Sequence, residues 1–209
     1  MNLIDIVDST RTDKNTVHSY LPLYDQLLRT KKSSATNVLE IGIAEGGSIK
    51  LWNDYFLNAN IYGIDIISKE MVWQELYNLP RVSLFTDINA YNPSFVDATF
   101  KDTGIRFDMV LDDGPHTLES MIMFIKLFSP LLKEDGILII EDVQNISWLY
   151  VLSEVVPDDI KKYIKTYDLR GNKGRYDDIV FTINKSLVSS EIGIDSKRNP
   201  EVPETVMEN

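Results

Sequence analysis

Apolar residues fall along this chain in two alternating rhythms. Short, nearly continuous runs of Val, Ile and Leu lie near 37–41, 60–65, 82–86, 107–112 and 135–141. Between them, apolar positions recur at helical spacing near 16–30, 47–57, 69–78, 93–99, 117–132 and 145–155. A run without polar alternation is what a strand covered on both faces carries. Strands that alternate with helices imply βαβ units and a parallel sheet. After residue 160 the rhythm changes: Lys162 to Leu169 and Asp178 to Ile183 predict two strands joined by a Gly-rich loop, a terminal β-hairpin. The expected fold is α/β and Rossmann-like. It has a mostly parallel seven-stranded sheet, a C-terminal antiparallel hairpin, and helices on both faces. Residues 1–185 read as one domain, with 1–35 as a helical lid segment and 186–209 as a polar tail.

Composition narrows the function. A length of 209 residues suits one domain with a sizeable core. The net charge of −11 leaves little to neutralise phosphates, so no nucleic-acid partner is expected. There is no cysteine, hence no disulfide framework and no thiolate metal site. The N-terminus lacks a basic region followed by an apolar stretch, and no apolar run approaches the ~18 residues that span a bilayer. The expectation is a cytoplasmic protein with no membrane partner.

The most informative stretch is Val38-Leu-Glu-Ile-Gly-Ile-Ala-Glu-Gly-Gly47. A strand ends in an acidic residue, breaks into glycines, and a helical pattern starts at Ser48. Such a turn lies where α/β sheets bind ligands, and the free N–H groups of the helix start favour a carboxylate or phosphate. A nicotinamide-binding turn would carry a second glycine two residues after the first, but Ala44 stands there. Glu45 in the same turn would repel a diphosphate. The E-x-G-x-x-x-G spacing resembles motif I of the class I S-adenosylmethionine (SAM) methyltransferases. That resemblance implies SAM as cofactor, held by Glu40, Gly42, Ala44, Gly46 and Ser48. It also implies ribose and adenine contacts from Asp65, Ile66, Asp87, Ile88 and Asp112. On its own, Asp65 could equally cap the following helix.

Two acidic blocks close apolar strands: Leu111-Asp112-Asp113-Gly-Pro-His116 and Ile140-Glu141-Asp142. Neighbouring strands lie about 4.8 Å apart, so Asp113, Glu141 and Asp142 would converge. Close carboxylates repel one another unless a cation neutralises them, and all-oxygen ligands suit Mg²⁺, Mn²⁺ or Ca²⁺ better than Zn²⁺, with Mg²⁺ the default. His116 sits one turn past Asp113, and an imidazole suits proton transfer near neutral pH.

Asp-Asp-Gly-x-His with Ile-Glu-Asp is similar to the metal-dependent sugar O-methyltransferases of the macrocin and mycinamicin type. Further matches are Thr12-Asp13-Lys14 with His18-x-Tyr20-x-x-x-Tyr24, Gly46-Gly-Ser-Ile-Lys-Leu-Trp52 and Lys173-Gly-Arg-Tyr-Asp-Asp178. This resemblance implies Asp113, Glu141 and Asp142 as metal ligands. It makes His116 the base beside Asp113, and it has Lys14, His18 and Tyr20 lining the acceptor site. The acceptor would be a sugar hydroxyl of a small molecule or a glycan, such as a 6-deoxyhexose. A looser likeness, to methyltransferase domains of large algal virus glycan-synthesis proteins, implies a rhamnose-like residue and a chain fused to or working with a glycosyltransferase. A homodimer is compatible with either likeness. The competing enzyme class is the catechol O-methyltransferases, whose base is a lysine and whose second block is Asp-Asn. The competing non-enzyme reading is a SAM-binding module without catalysis.

Overall fold

A computed structural model describes residues 2–186; the expected polar tail lies outside them apart from Ser186. Seven strands form one sheet: β1 Asn37–Ile41, β2 Asn60–Ile64, β3 Val82–Phe85, β4 Phe107–Asp112, β5 Leu132–Ile140, β6 Ile164–Asp168 and β7 Ile179–Asn184. Their order across the sheet is β3-β2-β1-β4-β5-β7-β6, and β7 alone runs against its neighbours. The α-helices are α1 Leu3–Ile6, α2 Leu21–Leu28, α3 Gly47–Tyr55, α4 Pro93–Val96, α5 Leu118–Phe128, α6 Trp148–Val155 and α7 Arg170–Lys173.

Successive strand residues face opposite sides of a sheet. Val38, Met109, Leu111, Ile137 and Ile139 pack with α2 and α3 through Tyr24, Leu28, Ile49 and Trp52. Leu39, Ile41, Val110, Leu138 and Ile140 pack on the other side with Met121, Phe124 and Phe128 of α5 and Leu152 of α6. Both faces of the central strands are therefore dry, which is why they read as unbroken apolar runs.

Several elements differ from the expectation, three of them near the site. The helix expected over 16–30 is shortened to Leu21–Leu28 followed by a 3₁₀ turn, because the segment before it runs as turns that carry its side chains to the sheet edge. The helix expected over 69–78 is two 3₁₀ turns, Lys69–Met71 and Gln74–Asn78. They break at Trp73, whose N–H donates instead to the carbonyl of Glu45. The hairpin loop 170–175 contains α7 rather than a bare turn. Its Lys173 donates to the carbonyls of Asn15, Thr16 and His18, clamping the N-terminal segment.

The register levels the strand ends that matter. Ile41 pairs with Asp112, Asp112 with Ile140, and Ile140 with Phe181 of the antiparallel β7. The carboxyl ends of β1, β4 and β5 and the start of β7 thus share one edge. Among the described residues, the non-glycine positions with left-handed backbone are Ala44, Asp87, His116 and Asp142 (φ 44°, 58°, 53° and 55°). All four follow strands at that edge. Such backbone costs about 1–2 kcal/mol per L-residue, so its concentration on one edge marks where the chain is bent for a purpose.

Candidate active site

The glycine turn is held from two directions. Asp65, just past β2, accepts the N–H groups of Ile43 and Ala44 at 2.8 and 2.9 Å through one oxygen. Its other oxygen accepts Ile67 N–H at 3.2 Å. A carboxylate has about four acceptor positions, so Asp65 can shape the turn and still meet a ligand hydroxyl. Gly42 has φ 78°, and a Cβ there would meet the carbonyl oxygen of Asp113 at 1.9 Å. At Gly47 a Cβ would meet the carbonyl of Arg11 at 2.0 Å. These glycines therefore let the next strand's loop and the N-terminal segment close directly over the turn.

At the ends of β4 and β5, one ligand atom each from Asp113, His116 and Asp142 lies within 4.8 Å of the others. His116 places Nε2 3.8 Å from Asp113 Oδ1 and Nδ1 3.7 Å from Asp142 Oδ2, both too long for hydrogen bonds. Nδ1 is enclosed and has no partner. The three groups thus surround a point without bonding one another.

The N-terminal motif supplies the support beneath this cluster. Lys14, buried at 1% exposure, sets its ammonium 2.7 Å from Asp113 and 3.3 Å from Glu40, and also donates to Glu141. Tyr24 donates to Glu141, and Tyr20 to Asp142. His18 Nδ1 lies 2.7 Å from Asp178 and 3.2 Å from Asp142. Every residue of the Lys14/His18/Tyr20/Tyr24 motif reaches an acid at the sheet edge.

The electrostatics follow from that crowding. Burial would lower the Lys14 ammonium, but Asp113, Glu141 and Glu40 outweigh it and hold its pKa well above the usual lysine value. Burial pushes Glu141 up to about 7, with Lys14 opposing and Asp142 adding to the rise. Burial and Glu141 push Asp113 well above the ordinary carboxylate range despite Lys14. Asp112 is pushed up to about 7 by burial, against a hydrogen bond from Tyr91. Among the described residues, Lys14 ion-pairs with Glu40, Asp113 and Glu141, and no Lys or Arg pairs with Asp142. Asp113, His116 and Asp142, whose ligand atoms lie together, make a donor set that fits a divalent cation, while Glu40 and Glu141 are held by Lys14.

A cavity of about 1150 Å³ runs along the edge, large enough for a nucleoside-sized ligand and an acceptor together. Gly42, Ala44, Ser48, Asp65, Ile66, Ile88, Asp113, His116, Asp142 and His18 line it. Ile66 is 73% exposed on its wall, apolar surface that a flat ring would cover. Other expected residues stand behind the wall. Glu40 is fully buried and bonded to Trp52; Gly46, Asp87 and Asp112 do not line the cavity. Nor do Lys14, Tyr20 and Glu141, which form the support beneath. Tyr91 and the Arg175/Asp177 pair line it without having been expected there. Asp177 had a readable signal: in an antiparallel strand, the residues before its start share the edge with the ends of the parallel ones.

No family model matches the chain. Over 144 residues, 66% of its length, it is 29% identical to the 8-demethyl-8-alpha-L-rhamnosyl tetracenomycin-C 2'-O-methyltransferase of Streptomyces olivaceus, covering 36% of that protein. It is 30% identical over 139 residues to the L-olivosyl-oleandolide 3-O-methyltransferase of Streptomyces antibioticus, 63% of this chain and 34% of that one. The mycinamicin VI 2''-O-methyltransferase of Micromonospora griseorubida is likewise 30% identical over 139 residues, 63% of this chain and 33% of its own length. The matches span about a third of these relatives. Among solved structures, the mycinamycin-pathway methyltransferase MycE, in complex with Mg, SAH and mycinamycin VI, superposes with a TM-score of 0.69 at 21% identity. The superposition covers 88% of this chain and 53% of that one. The fold is that of the class I methyltransferases, and the sequence resembles the sugar O-methyltransferases of the macrocin and mycinamicin type.

Proposed function

We propose that this chain is a SAM- and Mg²⁺- or Mn²⁺-dependent O-methyltransferase that acts on a sugar hydroxyl, as on a 6-deoxyhexose such as rhamnose in a glycoside or glycan. The observation that carries the reading is the grouping of Asp113, His116 and Asp142 on the wall of the same cavity as the glycine turn. The activities of the similar proteins, methylation of sugar hydroxyls on glycosides, support the acceptor class.

When bound, a sulfonium methyl donor supplies the methyl group, and a divalent cation supplies positive charge for the acceptor oxygen. Asp113 and Asp142, with Glu141 beside them, would hold that cation. The turn from Gly42 to Ser48 and the carboxylate of Asp65 would orient the donor over the ends of β1 and β2. His116 takes the acceptor hydroxyl's proton at Nε2. Its enclosed Nδ1–H then faces Asp142 Oδ2, which stabilises the imidazolium that forms. Lys14, Tyr20 and Tyr24 keep the carboxylates aimed while charge builds up.

The test is methyl transfer from labelled SAM to a panel of rhamnosides and catechols, with Mg²⁺ or with EDTA. Labelling of a rhamnoside that EDTA abolishes is expected. Labelling of catechols alone would move the chain to the other enzyme class, and none at all would favour a non-catalytic module.

Cation affinity should also depend on pH with a definite sign. Burial raises Glu141, up to about 7, and Asp113, above the ordinary carboxylate range, so protons compete with a cation for this edge. Mn²⁺ binding should therefore tighten as pH rises from 6 to 8, by at most about tenfold per pH unit for each proton displaced and less once the group is deprotonated. A dissociation constant flat across that window would remove both carboxylates from the cation site.

A further inference from the structure

We propose that Arg175 and Asp177 form an acceptor-recognition subsite, gripping a sugar hydroxyl next to the one that is methylated. The proposal rests on the transferase reading above and goes beyond it in naming the residues that select the acceptor.

The sheet order sets the geometry. Along the reactive edge stand Asp65 after β2, Gly42 after β1, Asp113 after β4, Asp142 after β5, and then Arg175 and Asp177 ahead of β7. At about 4.8 Å per strand, the start of β7 lies some three spacings, about 14 Å, from the glycine turn. It lies one spacing from the end of β5. A donor laid over β1 and β2 delivers its methyl near β4 and β5, so the rest of the acceptor extends toward β7.

The side chains there are incomplete in a way that specifies a ligand. Asp177 is 5% exposed; its Oδ2 accepts from Arg175 Nη2 at 3.1 Å, while its Oδ1 is enclosed with no partner. Arg175 Nε is enclosed and unpartnered too. Both residues line the cavity that holds His116 and Asp142. Leaving a buried polar atom unpaired costs about 1–3 kcal/mol, so an orphan acceptor and an orphan donor on paired side chains call for an occupant. A hydroxyl both donates and accepts, and so offers the kind of partner that each of them lacks.

Charge disfavours an anion, which would meet Asp142, Asp177 and Asp178, whose oxygens cluster with His18 within 4.8 Å. That cluster could hold a cation, and Arg175 on Asp177 opposes one, so the rival occupant is a metal ion and the test includes Mn²⁺. A neutral polyol suits both the carboxylate and the guanidinium.

The test uses Asp177→Asn, which keeps the shape, with methyl α-L-rhamnoside and its singly deoxygenated analogues. In the wild type, one analogue should lose tenfold or more in kcat/KM, mainly through KM. Asp177→Asn should reduce the parent glycoside to that level while leaving that analogue unchanged. An equal loss for every acceptor, or no loss, would overturn the subsite. So would weakened Mn²⁺ binding in Asp177→Asn, since it would make Asp177 a cation ligand. If the wild type methylates no glycoside, the transferase reading fails on its own. The subsite is then read from glycoside binding to the SAH-loaded protein by saturation-transfer NMR. Binding that Asp177→Asn abolishes supports it, and absence of binding by the wild type overturns it.

Discussion

Replacing His116 by Asn is expected to lower methyl transfer about 10²- to 10⁴-fold, the usual contribution of a positioned general base. Asn is a better choice than Ala because His116 has left-handed backbone (φ 53°), which Asn adopts more readily than Ala. The ring makes no hydrogen bond within the described residues, and its side chain is 31% exposed, so its loss breaks little that holds the fold. It stands after β4, whereas the donor-facing turn follows β1 and is shaped by Asp65. Donor affinity, measured by calorimetry with SAH, should therefore stay within about twofold while the rate falls, a separation of chemistry from binding. A wild-type rate in His116→Asn would dismiss the base. A parallel loss of SAH affinity would make the residue part of the binding wall instead.

Much of this arrangement was legible because the signals were local. The central strands are dry on both faces, so β1 and β4 stand at the residues their apolar runs indicate, and β2 and β3 end within a residue. β5 starts earlier than its run because Lys133, Glu134 and Asp135 continue the strand through a register irregularity near Phe107. The acids at strand ends were legible for the same reason: fixing the strand fixes the edge. What was not legible is who pairs with whom at long range. Lys14 reads as an acceptor contact in its motif, yet it neutralises Asp113 and Glu141, 99 and 127 residues away. Nothing in a local pattern shows that distance closing. Arg175 pairs with Asp177, and that carboxylate is buried in the cavity wall.

Lys14→Met is expected to be the most damaging change to the fold, and its cost should depend on pH. Removing one member of a buried ion cluster leaves the others uncompensated and typically costs about 3–5 kcal/mol. Here one ammonium faces three carboxylates, and two of them, Glu40 and Glu141, are at most 2% exposed. Those acids have a way to relieve the strain: they can take up protons. Burial already raises Glu40, Asp113 and Glu141 with Lys14 present, and losing its opposing charge can only raise them further. A carboxyl whose folded pKa lies above its unfolded value binds more protons folded than unfolded. Stability then falls as pH climbs from the unfolded value, near 4, through the folded one. The deficit of Lys14→Met should thus be largest near pH 8 and shrink toward pH 5.5, as read by urea denaturation. Adding Glu141→Gln to Lys14→Met should recover part of the loss at pH 8, since one fewer buried charge needs a partner. Divalent cation should recover more in Lys14→Met than it adds to the wild type, because it would supply the charge that the lysine no longer does. A pH-independent loss would mean that Lys14 matters through packing of its stem alone, and that the carboxylates are neutral in the folded protein whether the ammonium is there or not.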